Sequence, residues 1–262
     1  MISYYRYAPH DEQPTGTCAA LINGTNRSLC ALIGAANYFD VDHIIRDVDN
    51  YKYLQDAEVV YVEGFFITHS FPAALEVAKL SRSTNKVFTL NLSAPYVCNN
   101  FGQELKQILP YVDVLFGNSH EYRACAKTLG MSDIDAADAN SIASLVALYS
   151  DERGSQDKKY GPFRSHRTAV MTRGKNSIVC YHNHELSEHP VSQLEQERIV
   201  DTTGAGDSFV AGFLSQMVLG RDLEKCIKCG MYASHEIIQR IGCTVPEDAP
   251  NEEFWPADGD LL

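Results

Sequence analysis

The sequence predicts an α/β fold: a mainly parallel central sheet flanked by helices on both faces, with a small antiparallel β unit ahead of it. Three observations carry that prediction. From about Asp56 onward β-rich runs alternate with amphipathic ones; an Asn-Gly hairpin signal stands before them; and 262 residues with 45% hydrophobic and 21% charged side chains suit one large globular unit. A chain of this length buries roughly 70–75% of its unfolded surface, so it needs neither disulfides nor metals to staple a core.

Each element has its own signal. Thr17 to Ile22 and Ser28 to Ile33 are apolar runs joined by Asn23-Gly24-Thr25-Asn26-Arg27, and Asn-Gly supplies the positive φ angles of a tight hairpin turn. Ala57 to Glu63 (AEVVYVE) and Lys86 to Leu92 (KVFTLNL) read as strands. Between them Ser70-Phe71-Pro72 opens an amphipathic helix, with Ser as N-cap and Pro in the first turn. Strand, helix and strand make a βαβ unit, so the two strands are expected to be parallel neighbours. Asn99 to Leu109 then reads as a helix, Asp113 to Phe116 as a strand, and Glu121 to Leu129 as a helix stopped by Gly130. Ser150 to His166 is charged and aperiodic, a surface loop. Thr168 to Thr172 is a buried strand and Ser177 to His182 opens an antiparallel hairpin. Helices over Ser208 to Leu219 and Leu223 to Arg240 close the fold, and the tail after Pro246 is acidic and loose.

Lys plus Arg number 22 against 34 Asp plus Glu, a net charge of −12, and a field of that sign repels nucleic acid and anionic membrane. No eighteen-residue apolar run occurs, and the first twenty residues lack an apolar block, which predicts a cytoplasmic protein. The eight cysteines are scattered, several in apolar runs, as expected of reduced thiols packed as small hydrophobes. Cys226-Ile227-Lys228-Cys229 has no second pair at zinc spacing and reads as two buried cysteines on a helix. His182, His184 and His189 fall in a polar hairpin and read as solvated.

Three strand-end turns carry chemistry. In Asp201-Thr202-Thr203-Gly204-Ala205-Gly206-Asp207-Ser208-Phe209, a Gly-Ala-Gly turn admits close backbone approach, and the helix behind it offers free N–H groups and a positive dipole end to an anion. Asp207, in the first helical turn, is placed to accept a proton from a hydroxyl attacking phosphorus. Taken alone, the segment reads better as a small-residue turn with an ordinary N-terminal acid. Asn118-Ser119-His120-Glu121 puts Asn118 and Glu121 at a strand's carboxyl end as oxygen ligands for Mg²⁺ through water, although taken alone the segment reads better as a helix capping box. Thr172-Arg173-Gly174 offers a hydroxyl and a Gly turn to phosphate or ribose, or is a plain hairpin turn.

The conjunction resembles the ribokinase-like family of small-molecule kinases, the phosphofructokinase B type, and within it the adenosine-kinase branch. The segments that carry the likeness are Gln13 to Ala20, Asn26 to Leu29, Gly64-Phe65-Phe66, Asn91 to Pro95, Phe116-Gly117-Asn118, Gly204 to Asp207 and Gly242-Cys243-Thr244. It runs from about Tyr5 to Glu247.

The resemblance implies a kinase that transfers the γ-phosphoryl of ATP to the 5′-hydroxyl of adenosine, giving AMP, with Mg²⁺ as cofactor, as a monomer in the cytoplasm and nucleus. Asp207 would be the base and Gly204, Ala205 and Gly206 the anion hole. Arg27 would neutralise polyphosphate charge. Cys18, Leu29, Ala31, Phe65 and Tyr96 would wall the nucleoside site, the rings stacking on adenine. Thr172, Gly174, Gln196, Thr203 and the helix over 230–236 would border ATP, with Thr203 and Met231 standing where the family usually has Asn and His. For Leu29 and Ala31 simple core packing is an equal reading. The likeness also implies that the family's opening strand, with a nucleoside-binding Asp and most of the lid, precedes the part present here. Residues 1–36 would then be a lid remnant and 37–262 the kinase domain of a shortened chain that turns over slowly. A sugar kinase of the same fold and a non-catalytic nucleotide- or protein-binding fragment are the alternatives.

Overall fold

The structure, a computed structural model, describes residues 14–23, 26–46, 48–150, 163 and 166–244. Most of the loop expected over 150–166 and the acidic tail lie outside them.

β1 (Thr15–Asn23) and β2 (Asn26–Gly34) form the expected hairpin, an antiparallel two-stranded sheet with Cys18 opposite Ala31. Its apolar side chains stay largely in solvent: Leu21, Leu29 and Leu32 are each more than half exposed. A 3-10 turn at Ala35–Tyr38 and the short helices α1 (Asp42–Ile45) and α2 (Val48–Asp56) lead into the main body.

That body is a six-stranded sheet whose strands stand in chain order: β3 (Val59–Glu63), β4 (Val87–Asn91), β5 (Val114–Asn118), β6 (Thr168–Arg173), β7 (Asn176–His182) and β8 (Glu185–His189). The first four are parallel, with Val59 beside Val87 in the expected βαβ pairing; β7 and β8 turn back antiparallel. Both faces are covered, which is why β4 reads as an unbroken buried run. On one side Phe88, Leu90, Leu115, Tyr122 and Val146 belong to one apolar cluster; on the other Phe116, Val170, Cys180 and Phe213 belong to a second.

Several expectations need correction. The helix expected to open at Ser70 begins earlier: α3 spans Gly64–Ser83, and Ser70, at φ −137° and ψ 40°, marks a kink with Pro72 just beyond it. The Ser-Phe-Pro signal is therefore the restart of a bent helix, as proline at a first turn allows. The expected helix from Asn99 to Leu109 is split at Phe101 into α4 (Pro95–Asn100) and α5 (Gly102–Ile108), continued by a 3-10 turn. α6 (Ser119–Thr128) starts at its Asn118 cap and Gly130 follows it at φ 84°. α7 (Ala139–Leu148), capped by Asp138, had no sequence prediction. α8 (Ala205–Val218) and α9 (Leu223–Ile238) pack as a pair. Cys226 and Cys229 are buried as expected. His182 is not solvated: its ring lies 5.0 Å from Phe163 and its Nδ1 2.8 Å from Thr168 Oγ1, and His189 is half-buried with its Nε2 3.0 Å from Ser187 Oγ.

Candidate active site

The carboxyl ends of the four parallel strands, the start of α8 and one face of the β1–β2 hairpin enclose a cleft of about 850 Å³. Open α/β sheets bind ligands at this edge because strand ends and helix starts converge there.

Three elements build the α8 side. Gly204 caps the helix at φ 76°, and a Cβ on it would lie 2.2 Å from Cys243 Sγ, so a side chain there is strained in its backbone and displaces that sulfur. Asp201 braces the turn from behind, its carboxylate accepting from Thr203 N at 2.9 Å and Gly242 N at 3.1 Å. Ser234 of α9 donates to Ala205 O at 2.7 Å. Gly206 has open space where a side chain would stand, and Asp207 is exposed in the first helical turn. The turn, the start of α8 and the acid thus share the lip of the cleft.

On the strand-end side, Asn118 and Glu121 hold each other. Asn118 Oδ1 accepts from His120 N at 2.9 Å and Glu121 N at 3.0 Å, while Glu121 accepts from Asn118 N at 2.8 Å and Asn118 Nδ2 at 2.6 Å. This is a complete capping box. Burial, together with the charge of Glu63, raises the Glu121 pKa against the lowering effect of its bonds. Among the described residues no three His, Cys, Asp or Glu side chains gather around one metal position. The cleft's ligand atoms are hard oxygens, and with Glu121 spoken for on both oxygens they fit a hydrated cation met through water better than one held directly.

Glu63, at the end of β3, went unmarked in the sequence. It accepts from Tyr61 Oη and from Ser93 Oγ, and Ser93 Oγ in turn accepts from Gly64 N at 2.8 Å. Ser93 adopts φ 63°, with its N–H donating to Asn91 Oδ1 at 3.2 Å. Burial, then the Glu63 hydrogen bond and charge, push the Tyr61 hydroxyl well above its ordinary pKa. This latch ties the end of β3 to the loop after β4, and so ties Phe65 to Tyr96. Their rings lie 6.1 Å apart at 32° and are each nearly half exposed. A base sandwiched between two rings needs roughly 7 Å between them, twice an optimal carbon–carbon contact. Both rings line the cleft and leave too little room for a base between them.

Of the residues expected at the site, Cys18, Leu29, Ala31, Phe65 and Tyr96 line the cleft. So do Asn118, Glu121, Thr172, Thr203 and the turn through Asp207. Leu29 and Ala31 are exposed on the hairpin, so the core-packing reading of them fails. Gly174, at φ 60° in the β6–β7 turn, and Gln196, exposed in a 3-10 turn, stand outside the lining. The Arg27 side chain lies outside the described residues. No lysine or arginine lines the cleft among the described residues, while Glu63, Glu121 and Asp207 do. Thr68 and His69 also line it; they sit inside the run FFITHS, where no local spacing singles them out.

A family model described as pfkB family carbohydrate kinase matches residues 3–250. Adenosine kinase 1 of Arabidopsis thaliana is 38% identical over 244 residues, covering 93% of this chain and 67% of the relative. Adenosine kinase of Dictyostelium discoideum is 33% identical over 249 residues, covering 95% and 69%. Among solved structures, Anopheles gambiae adenosine kinase in complex with P1,P4-di(adenosine-5) tetraphosphate matches with a TM-score of 0.80 at 42% identity, over 92% of this chain and 67% of that one. Adenosine kinase from Schistosoma mansoni in complex with 2-fluoroadenosine matches with a TM-score of 0.79 at 28% identity, over 90% and 66%. The chain spans about two thirds of the length of these relatives. No helix among the described residues is long and apolar enough to cross a membrane.

Proposed function

The chain belongs to the pfkB carbohydrate kinase family, among its adenosine kinases, and from that premise we propose that it transfers the γ-phosphoryl of ATP to the 5′-hydroxyl of adenosine, giving AMP. The observation that carries the reading is the shared cleft: an exposed carboxylate in the first turn of α8, a glycine turn at that helix start, and the Phe65 and Tyr96 rings all line one space. That combination suits a flat base with a hydroxyl to be phosphorylated, which favours a nucleoside over a sugar.

Asp207 takes the proton from the 5′-hydroxyl as that oxygen attacks phosphorus. Gly204, Ala205 and Gly206 present their N–H groups to the charge that develops on the transferring phosphoryl, where preorganised donors need no rearrangement during reaction. Phe65 and Tyr96 stack on the base; Cys18, Leu29 and Ala31 close over it from the hairpin. Thr172 and Thr203 border the nucleotide, as do Gly174, Gln196 and Arg27 at its periphery. Asn118 and Glu121 would hold Mg²⁺ through water, and the cation, when bound, screens the polyphosphate from the acidic lining. Residues 1–36 and 37–262 are then lid and kinase domain.

The test is AMP formation from adenosine and ATP by the purified chain and by Asp207→Asn. Turnover should fall about 10²- to 10⁴-fold, the usual worth of a general base, with ATP affinity unchanged because the anion hole is main chain. AMP formation that survives the substitution intact overturns the assignment of Asp207.

A further inference from the structure

His69 occupies the cleft without a role in phosphoryl transfer. It lies four residues after Phe65 in the first segment of α3, on the same helical face as that ring. Its hydrogen bonds fix its tautomer. The Thr68 hydroxyl has one proton and donates it to Phe65 O at 2.8 Å. The same Oγ1 lies 3.3 Å from His69 Nδ1, so at that contact the histidine ring must donate. Nδ1 therefore carries the hydrogen and Nε2 the lone pair. Among the described residues nothing donates to Nε2, while Phe66 packs edge-on at 5.7 Å and holds the ring. The result is a hydrogen-bond acceptor on a ring that lines the same cleft as Phe65 and Tyr96.

We propose that His69 sets the specificity of the cleft for aminopurine nucleosides, its Nε2 accepting a hydrogen bond from the exocyclic 6-amino group. The assignment rests on the nucleoside reading above and adds to it the edge of the base that is read. A 6-oxopurine presents an acceptor at that position and is turned away by lone-pair repulsion. A purine with only hydrogen at C6 stacks as well but leaves Nε2 without its donor. Burial keeps the His69 pKa below the ordinary histidine value, so the ring is neutral and able to accept at pH 7.5.

Calorimetric affinities for adenosine, purine riboside and inosine decide the matter. The unaltered chain should favour adenosine over purine riboside by about three- to tenfold, the net worth of one hydrogen bond, and over inosine by at least as much. His69→Val should bring the adenosine-to-purine-riboside ratio to about one. His69→Gln, which keeps an acceptor, should retain part of the preference. A ratio that His69→Val leaves unchanged overturns the assignment and leaves the kinase reading standing. Failure of the unaltered chain to bind any of the three overturns the nucleoside reading and this assignment with it. Nitrogen-15 NMR of the free chain supplies a test that needs no ligand: Nε2 protonated at pH 7.5 overturns the assignment alone.

Discussion

Arg167 is fully buried. Its guanidinium donates to the carbonyls of Leu109 and Val112 ahead of β5, and to those of Val146, Ala147 and Tyr149 at the end of α7. A planar fork of five donors suits this task, since it satisfies carbonyls that a helix end leaves without partners. Arg167→Met should destabilise the fold by about 3–5 kcal/mol, because several buried acceptors lose their donor at once. Arg167→Lys should recover only part, and urea unfolding of the two variants measures the difference. Nothing in the sequence marked this residue, which stands between a loop and a strand. The side chains that were legible are those whose chemistry is concentrated in a short segment, such as Gly204 to Asp207. Glu63, Ser93 and His69 were missed because their partners lie up to about thirty positions away or in an apolar run, and only the meeting of strand ends reveals them. Glu63 did have one signal: an acid at the carboxyl end of a predicted parallel strand.

At the scale of elements, the turn into α8 separates two glycines that look alike in sequence. Gly204→Ala meets a positive φ and the Cys243 sulfur together, and should cost about 1–2 kcal/mol for the backbone alone. Pairing it with Cys243→Gly should restore only the steric part, and thermal melts of the single and double variants read the two contributions. Gly206→Ala meets nothing within 4 Å at an ordinary helical φ. It should leave the melting temperature unchanged or slightly raised while slowing phosphoryl transfer, because the methyl group enters the space the phosphoryl needs. A Gly206→Ala chain with full turnover would contradict the anion-hole assignment. The sequence located the strands that carry the site because period and β-branching agree there. It mislaid the helices between 95 and 109, where Phe101 breaks one run into two, and the bend at Ser70, because kinks are set by what packs around them.

For the molecule as a whole, burial holds the pKa values of His69, His182, His189 and His235 below the usual 6.5. Between the depressed values and 6.5 the unfolded chain binds more protons than the folded one, so stability rises with pH across that window and is lost on acidification below about 6.5. Glu121, whose pKa is raised, acts in the opposite sense, one group against four. The urea midpoint should therefore fall between pH 7.5 and 5.5, and a midpoint that climbs on acidification would contradict the burial of these rings. The whole-sheet architecture was readable because alternation of strand and helix leaves few topologies. The open face of the hairpin was not, since its apolar residues look in sequence like any buried strand.

Because the six strands of the large sheet stand in the order of the chain, each strand after β3 has its neighbour already made when it leaves the ribosome, and the sheet can grow by accretion at one edge. The cleft follows a different schedule. Its parts come from the hairpin near Cys18, the strand ends between Glu63 and Thr172, and a turn braced by Gly242. A nascent chain thus has its scaffold well before it has its site, and can first engage a ligand only after nearly all of the described residues have emerged.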